Sequence, residues 1–207
     1  MISISLLGVG FLLAATPQET LNSVISKYSS ASSLKAIFKE QICSKSQGTC
    51  QELRGTFIYS SPNKFRLDVV IPMEQLVVSD GNTFWIYLPT QNQAIQTKPG
   101  PEQELFLFVS RLSNYSETYT VNTAQKDGTV EAKFTAKPDK QPFLKEFTLL
   151  LDPNKNDIDG IKITEGDSEI IFYMESVKLN VKTSPSQFLF SPPEGTTIIK
   201  DTGTGYQ

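Results

Sequence analysis

The run DPNKNDIDG places four oxygen-bearing side chains, Asp152, Asn154, Asn156 and Asp159, close together. In that spacing they suggest ligands for calcium. A calcium loop counted from Asp152 needs glycine at its sixth position and glutamate at its twelfth, where this chain has Asp157 and Ile163. The run therefore reads as an Asx-rich hairpin turn. Cys43 and Cys50, enclosing SKSQGT, form the other candidate pair. A metal would need two further ligands, a redox pair would want C-x-x-C, and the chain holds no histidine. The remaining reading is a structural disulfide closing a hairpin in an oxidising compartment.

The same lack of histidine excludes Ser-His-Asp and Cys-His catalysis. There is no G-x-S-x-G elbow and no glycine-rich phosphate loop. The carboxylates are scattered, without a pairing that would mark a glycosidase. The expectation is a protein with no catalytic residues, no metal and no cofactor. A net charge of −3 offers no basic stripe for phosphates, so nucleic acid is not an expected partner.

The elements that carry these residues alternate for most of the chain. Phe65, Leu67, Val69 and Ile71 share one face of a strand, with Arg66 and Asp68 on the other. Further strands read SETYTVNTA, TVEAKFTAKP, KEFTLLLDP, GIKITEG, SEIIFYMESVKLNV and QFLFSPP. Asp127-Gly128, Asp152-Pro153, Asp159-Gly160 and Gly166-Asp167 mark turns between them. Two segments have helical character. Leu21, Val24, Ile25 and Tyr28 give one amphipathic helix, and GPEQELFLFVSRLSN, with Pro101 near its start, gives a second that is apolar around most of its circumference. The formal glycosylation acceptor at Asn114 falls at the end of that second helix and carries no weight. Without repeats or composition breaks, residues 17–207 read as one domain.

Ile2 to Ala15 form an apolar run too short to span a bilayer, which fits the h-region of an export signal over residues 1–16. No cysteine follows that run, so a soluble, unanchored mature protein is expected.

In VVSDGNTFWIY, Asp80-Gly81 predicts a type I′ hairpin turn. Phe84-Trp85-Ile86-Tyr87 then points large apolar groups to both faces of one strand. Something must cover the second face. Either the helices fill the concave side of the sheet completely, or they leave an apolar cavity for a lipid.

The stretch SSPNKFRLDVVIPMEQLVVSDGNTFWIYLPTQNQA and the closing FLFSPPEGTTIIKD bring in a resemblance. Together they resemble the motifs of the periplasmic outer-membrane lipoprotein carrier family: R-P-x-x-F-R-W, P-x-x-x-x-x-V-S-D-G, W-x-Y and F-x-F-x-P-P-x-G-x-x-V. The resemblance implies a mainly β (α+β) fold, a curved incomplete antiparallel β-barrel or half-barrel, with amphipathic helices as a lid. It implies a non-enzymatic periplasmic chaperone, monomeric, that takes acylated lipoproteins from an inner-membrane ATP-driven exporter to an outer-membrane acceptor. Carried over residue by residue, it implies acyl-chain contacts at Phe65, Leu67, Val69, Trp85, Tyr87, Phe108, Phe147 and Leu149. Ser61 and Arg66 fall in the lid-latching segment. Ser61 stands where the family commonly has arginine, and Leu67 where it usually has tryptophan. The Cys43–Cys50 pair is not a general family feature. A carrier of a free lipid or glycolipid, or a structural β-domain with a filled core, are the alternatives at this point.

Overall fold

The computed structural model describes residues 15–99, 107 and 112–200. Residues 1–14 of the expected signal segment, Pro101 and Phe108 lie outside them. Helix α1 (Pro17–Ser29) starts at a complete capping box: the Thr16 hydroxyl accepts from the Glu19 N–H, and the Glu19 carboxylate accepts from the Thr16 N–H at 2.8 Å. Its buried positions are Thr20 and the four apolar residues whose spacing predicts the helix: Leu21, Val24, Ile25 and Tyr28.

The strands form a single twelve-stranded sheet. From one edge inward run β12 (Thr197–Lys200), β6 (Gln93–Thr97), β5 (Phe84–Leu88), β4 (Gln75–Ser79), β3 (Lys64–Ile71) and β2 (Thr49–Ser60). The order continues with β1 (Ser33–Ser44), β11 (Ser168–Leu179), β10 (Asp157–Glu165), β9 (Glu146–Asp152), β8 (Thr129–Ala136) and β7 (Tyr119–Lys126). Every neighbouring pair is antiparallel except β12 on β6. β1 and β11 join the two halves of the chain, while among the described residues the edges β12 and β7 do not pair with each other. The result is an open, incomplete barrel. Bulges in the β1–β11, β2–β3 and β9–β10 pairings add local bend and twist.

Period-two alternation sorts the strands into two faces. The inner face carries one continuous core, from Phe65, Leu67, Val69, Val77 and Phe84 to Phe134, Phe147, Leu149 and Leu151, packed with the apolar stripe of α1. Phe38 stacks on Phe172 at 5.1 Å across β1 and β11. Gly55, opposite Phe38, makes room for that ring: a Cβ there would overlap the Asp68 carbonyl oxygen and lie 2.7 Å from the ring. The outer face has a smaller core of Ile58, Leu76, Val78 and Phe188.

Two turns differ from their sequence reading. Asp80-Gly81 is not a two-residue type I′ turn, because Ser79 pairs with Phe84 and four residues form the loop. Gly81 alone of the four has positive φ. The Asp80 carboxylate, accepting the N–H groups of Asn82 and Thr83 at 2.8 Å, satisfies the backbone and makes the longer loop stable. Asp159-Gly160 is not a turn but lies inside β10, at the bulge opposite Leu150. Asp127-Gly128 does form the two-residue turn, with both residues at positive φ.

Of the second expected helix, Leu107 is helical and buried, and Leu112–Asn114 form a 3-10 turn. Leu107 and Leu112 both belong to the inner core.

Candidate functional site

The inner face has two zones. In the first, which runs from β3 to the strands β7, β8 and β9 on which α1 packs, residues are nearly inaccessible: Phe65 and Leu149 are 0% exposed, Leu67 and Val69 5%, and Phe147 7%. The second lies toward the β1–β2 hairpin tip, where α1 gives no cover. There the inner-phase residues Ile42, Leu53, Ile163 and Ile170 are only half-buried. A cleft of about 200 Å3 opens between Leu53, Val69, Gln75, Leu88 and the Pro72-Met73-Glu74 loop. Met73, 58% exposed, lines it together with the polar Gln51, Glu74, Thr90 and Gln91. An apolar surface thus runs from a closed core to an open rim along one side of the sheet.

Trp85 and Tyr87, expected with the cavity-lining residues, lie on the opposite face. Register explains this: Val78 and Leu76, their partners on β4, belong to the outer core, whereas Phe84 and Ile86 pack on the inner one. The outer cover is the chain's own C-terminal segment. Phe190 packs against Trp85 at 5.5 Å and Tyr87 at 5.1 Å, and Phe188 is 2% exposed. Arg66 also sits on this side. It grips Asp68 through two hydrogen bonds of 2.8 Å and donates to the Gln187 carbonyl at 3.3 Å, so it fastens the C-terminal segment and not the helix. Ser61 is exposed in the β2–β3 connection, and its N–H donates to the Ser32 carbonyl at 2.9 Å.

The fastening of α1 lies elsewhere, at Asp157 on β10. The Tyr28 hydroxyl donates to Asp157 Oδ1, which also accepts the Ile158 N–H at 3.0 Å. Lys27 Nζ lies 3.1 Å from Asp157 Oδ2 and donates to the Asn156 carbonyl at 3.1 Å. Burial first, and then the adjacent Asp157 carboxylate, push the Tyr28 hydroxyl far above the ordinary tyrosine range. In the sequence Asp157 stands out only as a misfit in a calcium loop. The loop itself is an Asx turn in which Asp152 accepts the N–H groups of Asn154 and Lys155 and meets Lys155 Nζ at 2.7 Å.

Cys43 and Cys50 are directly cross-strand on β1 and β2 and joined by a disulfide. The tip beyond them is tied to the β10–β11 turn, where Asp167 accepts from the Ser44 and Ser46 hydroxyls at 2.6 and 2.7 Å.

The strands thus make a half-open, mainly antiparallel sheet whose inner face carries one continuous apolar core, partly covered by the one described helix longer than a few residues. The comparison with known families is specific. The model of the outer membrane lipoprotein carrier protein LolA matches residues 29–191, and the chain belongs to that family. It is 28% identical over 183 residues to the outer-membrane lipoprotein carrier protein of Salmonella paratyphi A, covering 87% of each chain. To the protein of the same description from Serratia proteamaculans it is 27% identical over 191 residues, covering 91% of this chain and 92% of that one. A crystal structure of an uncharacterized conserved protein from Thermus thermophilus shares the fold, with TM-score 0.54 and 12% identity over 89% of this chain and 98% of that one.

Proposed function

We propose that this protein is a periplasmic carrier that shelters the acyl chains of lipoproteins on its inner face, between an inner-membrane exporter and an outer-membrane acceptor. The observation that carries the reading is the two-zone inner face, given the family to which the chain belongs. A domain with a purely structural core has no need of an apolar surface that continues past its covering helix to an open rim. Acyl chains enter at the rim formed by Leu53, Leu88 and Met73. They extend along Val69, Leu67 and Phe65, and reach Phe147 and Leu149 on β9 as α1 lifts from that strand. Trp85 and Tyr87 support this wall from behind. No chemical step is involved. Direction comes from differential affinity, with an exporter loading the carrier and a better acceptor unloading it.

Native mass spectrometry of the protein purified from the periplasm of its own host tests the reading. An acylated polypeptide bound one-to-one is the expected result, and a free lipid in its place would refute the lipoprotein assignment. Leu53→Glu, which puts a charge on the half-buried rim, is expected to abolish that complex while the protein stays folded. Leu67→Glu is unsuitable, because an unpaired carboxylate at a core position would threaten the fold itself.

A further inference from the structure

Strand direction alternates from β1 outward, so the β1–β2, β3–β4, β5–β6, β8–β9 and β10–β11 connections all lie at the open-zone end of the sheet. Two of them expose large apolar side chains. At the end of β3, Val70, Ile71 and Met73 are 60%, 49% and 58% exposed around Pro72. On the β8–β9 connection Phe143 is 50% exposed. Core packing accounts for neither group. Val70 to Glu74 are all exposed, and the first four of them carry no charge. The β8–β9 connection is seated by Leu144, whose side chain packs on the inner core and whose carbonyl accepts from the Tyr119 hydroxyl at 2.9 Å. Phe143 has no part in that seating.

The charge around Phe143 is one-sided, although the chain as a whole stands at −3. In KPDKQPFLK, residues 137–145, three lysines stand against one aspartate. Lys140 lies 3.6 Å from Asp139, and Lys137 donates to the Ser116 carbonyl at 2.6 Å. Lys145 makes no ion pair among the described residues, and the next acid, Glu146, is held by Lys133 at 2.9 Å. From β3 to β9 is five inter-strand steps. At about 4.8 Å per step the two apolar tips stand about 24 Å apart along the sheet. A small ligand does not span that distance, whereas an extended surface meets both. Apolar tips with ammonium groups beside them suit a phospholipid surface, where the tips are buried at the head-group boundary and the cations meet phosphates.

We propose that this end of the sheet docks on a phospholipid bilayer. Ile71 and Met73 enter the interface on one lip and Phe143 on the other, with Lys140 and Lys145 on anionic head groups. Met73 also lines the cleft, so the mouth of the cleft faces the bilayer. The docking is independent of the carrier reading, which adds only what passes through that mouth.

Flotation of the mature, cargo-free protein with lipid vesicles tests the proposal. One set of vesicles holds phosphatidylethanolamine and phosphatidylglycerol, the other phosphatidylethanolamine and phosphatidylcholine. The native protein should partition about tenfold more strongly onto the anionic set. Met73→Glu and Phe143→Glu alter exposed side chains, so the fold is kept, and each should lower partitioning about tenfold. Replacing Lys140 and Lys145 together with glutamine should remove the preference for the anionic set. A native protein that does not float, or flotation that both glutamate variants retain, would overturn the proposal and leave the carrier reading standing. Self-association of the native protein in sedimentation velocity, without vesicle binding and abolished by the same two variants, would assign the lips to a second copy and overturn it equally.

Discussion

Replacing Asp157 with asparagine is expected to loosen α1 without unfolding the sheet. The substitution keeps the side chain's shape, and with it an oxygen that can accept from the Tyr28 hydroxyl and the Ile158 N–H. It removes the charge. A hydrogen bond to a charged group contributes about 1.5–3 kcal/mol and a neutral one about 0.5–1.5, so the difference is about 1 kcal/mol. The Lys27 ion pair is lost as well. Its partners are 33% and 22% exposed, so it adds at most about 0.5 kcal/mol after solvent screening. Together about 1.5 kcal/mol shifts the docking equilibrium of the helix roughly tenfold. The amides of Leu21 to Tyr28 should then exchange about tenfold faster by hydrogen-exchange mass spectrometry, while those of β8 and β9 hold their protection. If acyl chains enter only when α1 is undocked, the apparent affinity for an acyl probe should rise by the same factor. Tyr28→Phe removes the hydroxyl from the same contact, so the double variant should fall short of the sum of the two single effects. Unchanged exchange in α1 of a folded Asp157→Asn protein, or strictly additive effects, would refute the latch.

Three further outcomes are expected. Gly55→Ala drives a methyl into the Asp68 carbonyl and the Phe38 ring, and should cost about 3 kcal/mol in denaturant titration; a loss below about 1 kcal/mol would show that the Phe38–Phe172 stack yields easily. Replacing both Cys43 and Cys50 with serine should cost about 2 kcal/mol in the chain-entropy account of a short closed loop, and stability indifferent to reductant would contradict it. The Glu40 carboxyl, raised by burial, holds its proton more tightly folded than unfolded, so its contribution to stability is lost as pH rises from the ordinary carboxylate range through the raised value. Glu40→Gln should therefore raise the melting temperature at pH 7 and leave it unchanged near pH 3; an equal gain at both would assign the effect to something other than ionisation.

Most of the sheet is legible in the sequence because its strands alternate cleanly, and α1 because four apolar residues keep helical spacing; QFLFSPP is the exception, a 3-10 turn and extended chain whose Phe188 packs on the outer face instead of joining the sheet. The Asp80-Gly81 turn reads too short, since the dipeptide signal ignores what an aspartate carboxylate can do for two following N–H groups. The face occupied by Trp85 and Tyr87 is not legible: when both phases of a strand are apolar, alternation gives two solutions, and only pairing with Leu76 and Val78 selects one. Asp157 is hidden for a different reason. Its partner Tyr28 is 129 residues away, as is the Asn156 carbonyl from Lys27, and no local pattern marks such contacts. Glu40 is in plain view. A single acid in the inner phase of Leu34, Ala36, Phe38 and Ile42 is a misfit that a strand-by-strand reading of phase exposes.

The way α1 is held has a consequence for reversibility. Its four apolar side chains, at about 1.5–3 kcal/mol each when fully buried, contribute about 6–12 kcal/mol of gross burial against the sheet. An acyl chain of about fifteen methylenes gains about 12 kcal/mol on full burial. One chain can therefore replace the helix on the inner face at little net cost, whereas several chains fully enclosed would be held almost irreversibly. A short helix such as α1, fastened at its C-terminal end by a single carboxylate, keeps the two occupants of the face within reach of each other. The half-buried rim works in the same direction, because methylenes lying on Leu53 and Ile170 are only partly removed from water and give back part of that gain. On this account a tighter roof would make a poorer carrier: filling the rim with larger apolar side chains should slow release more than it speeds uptake.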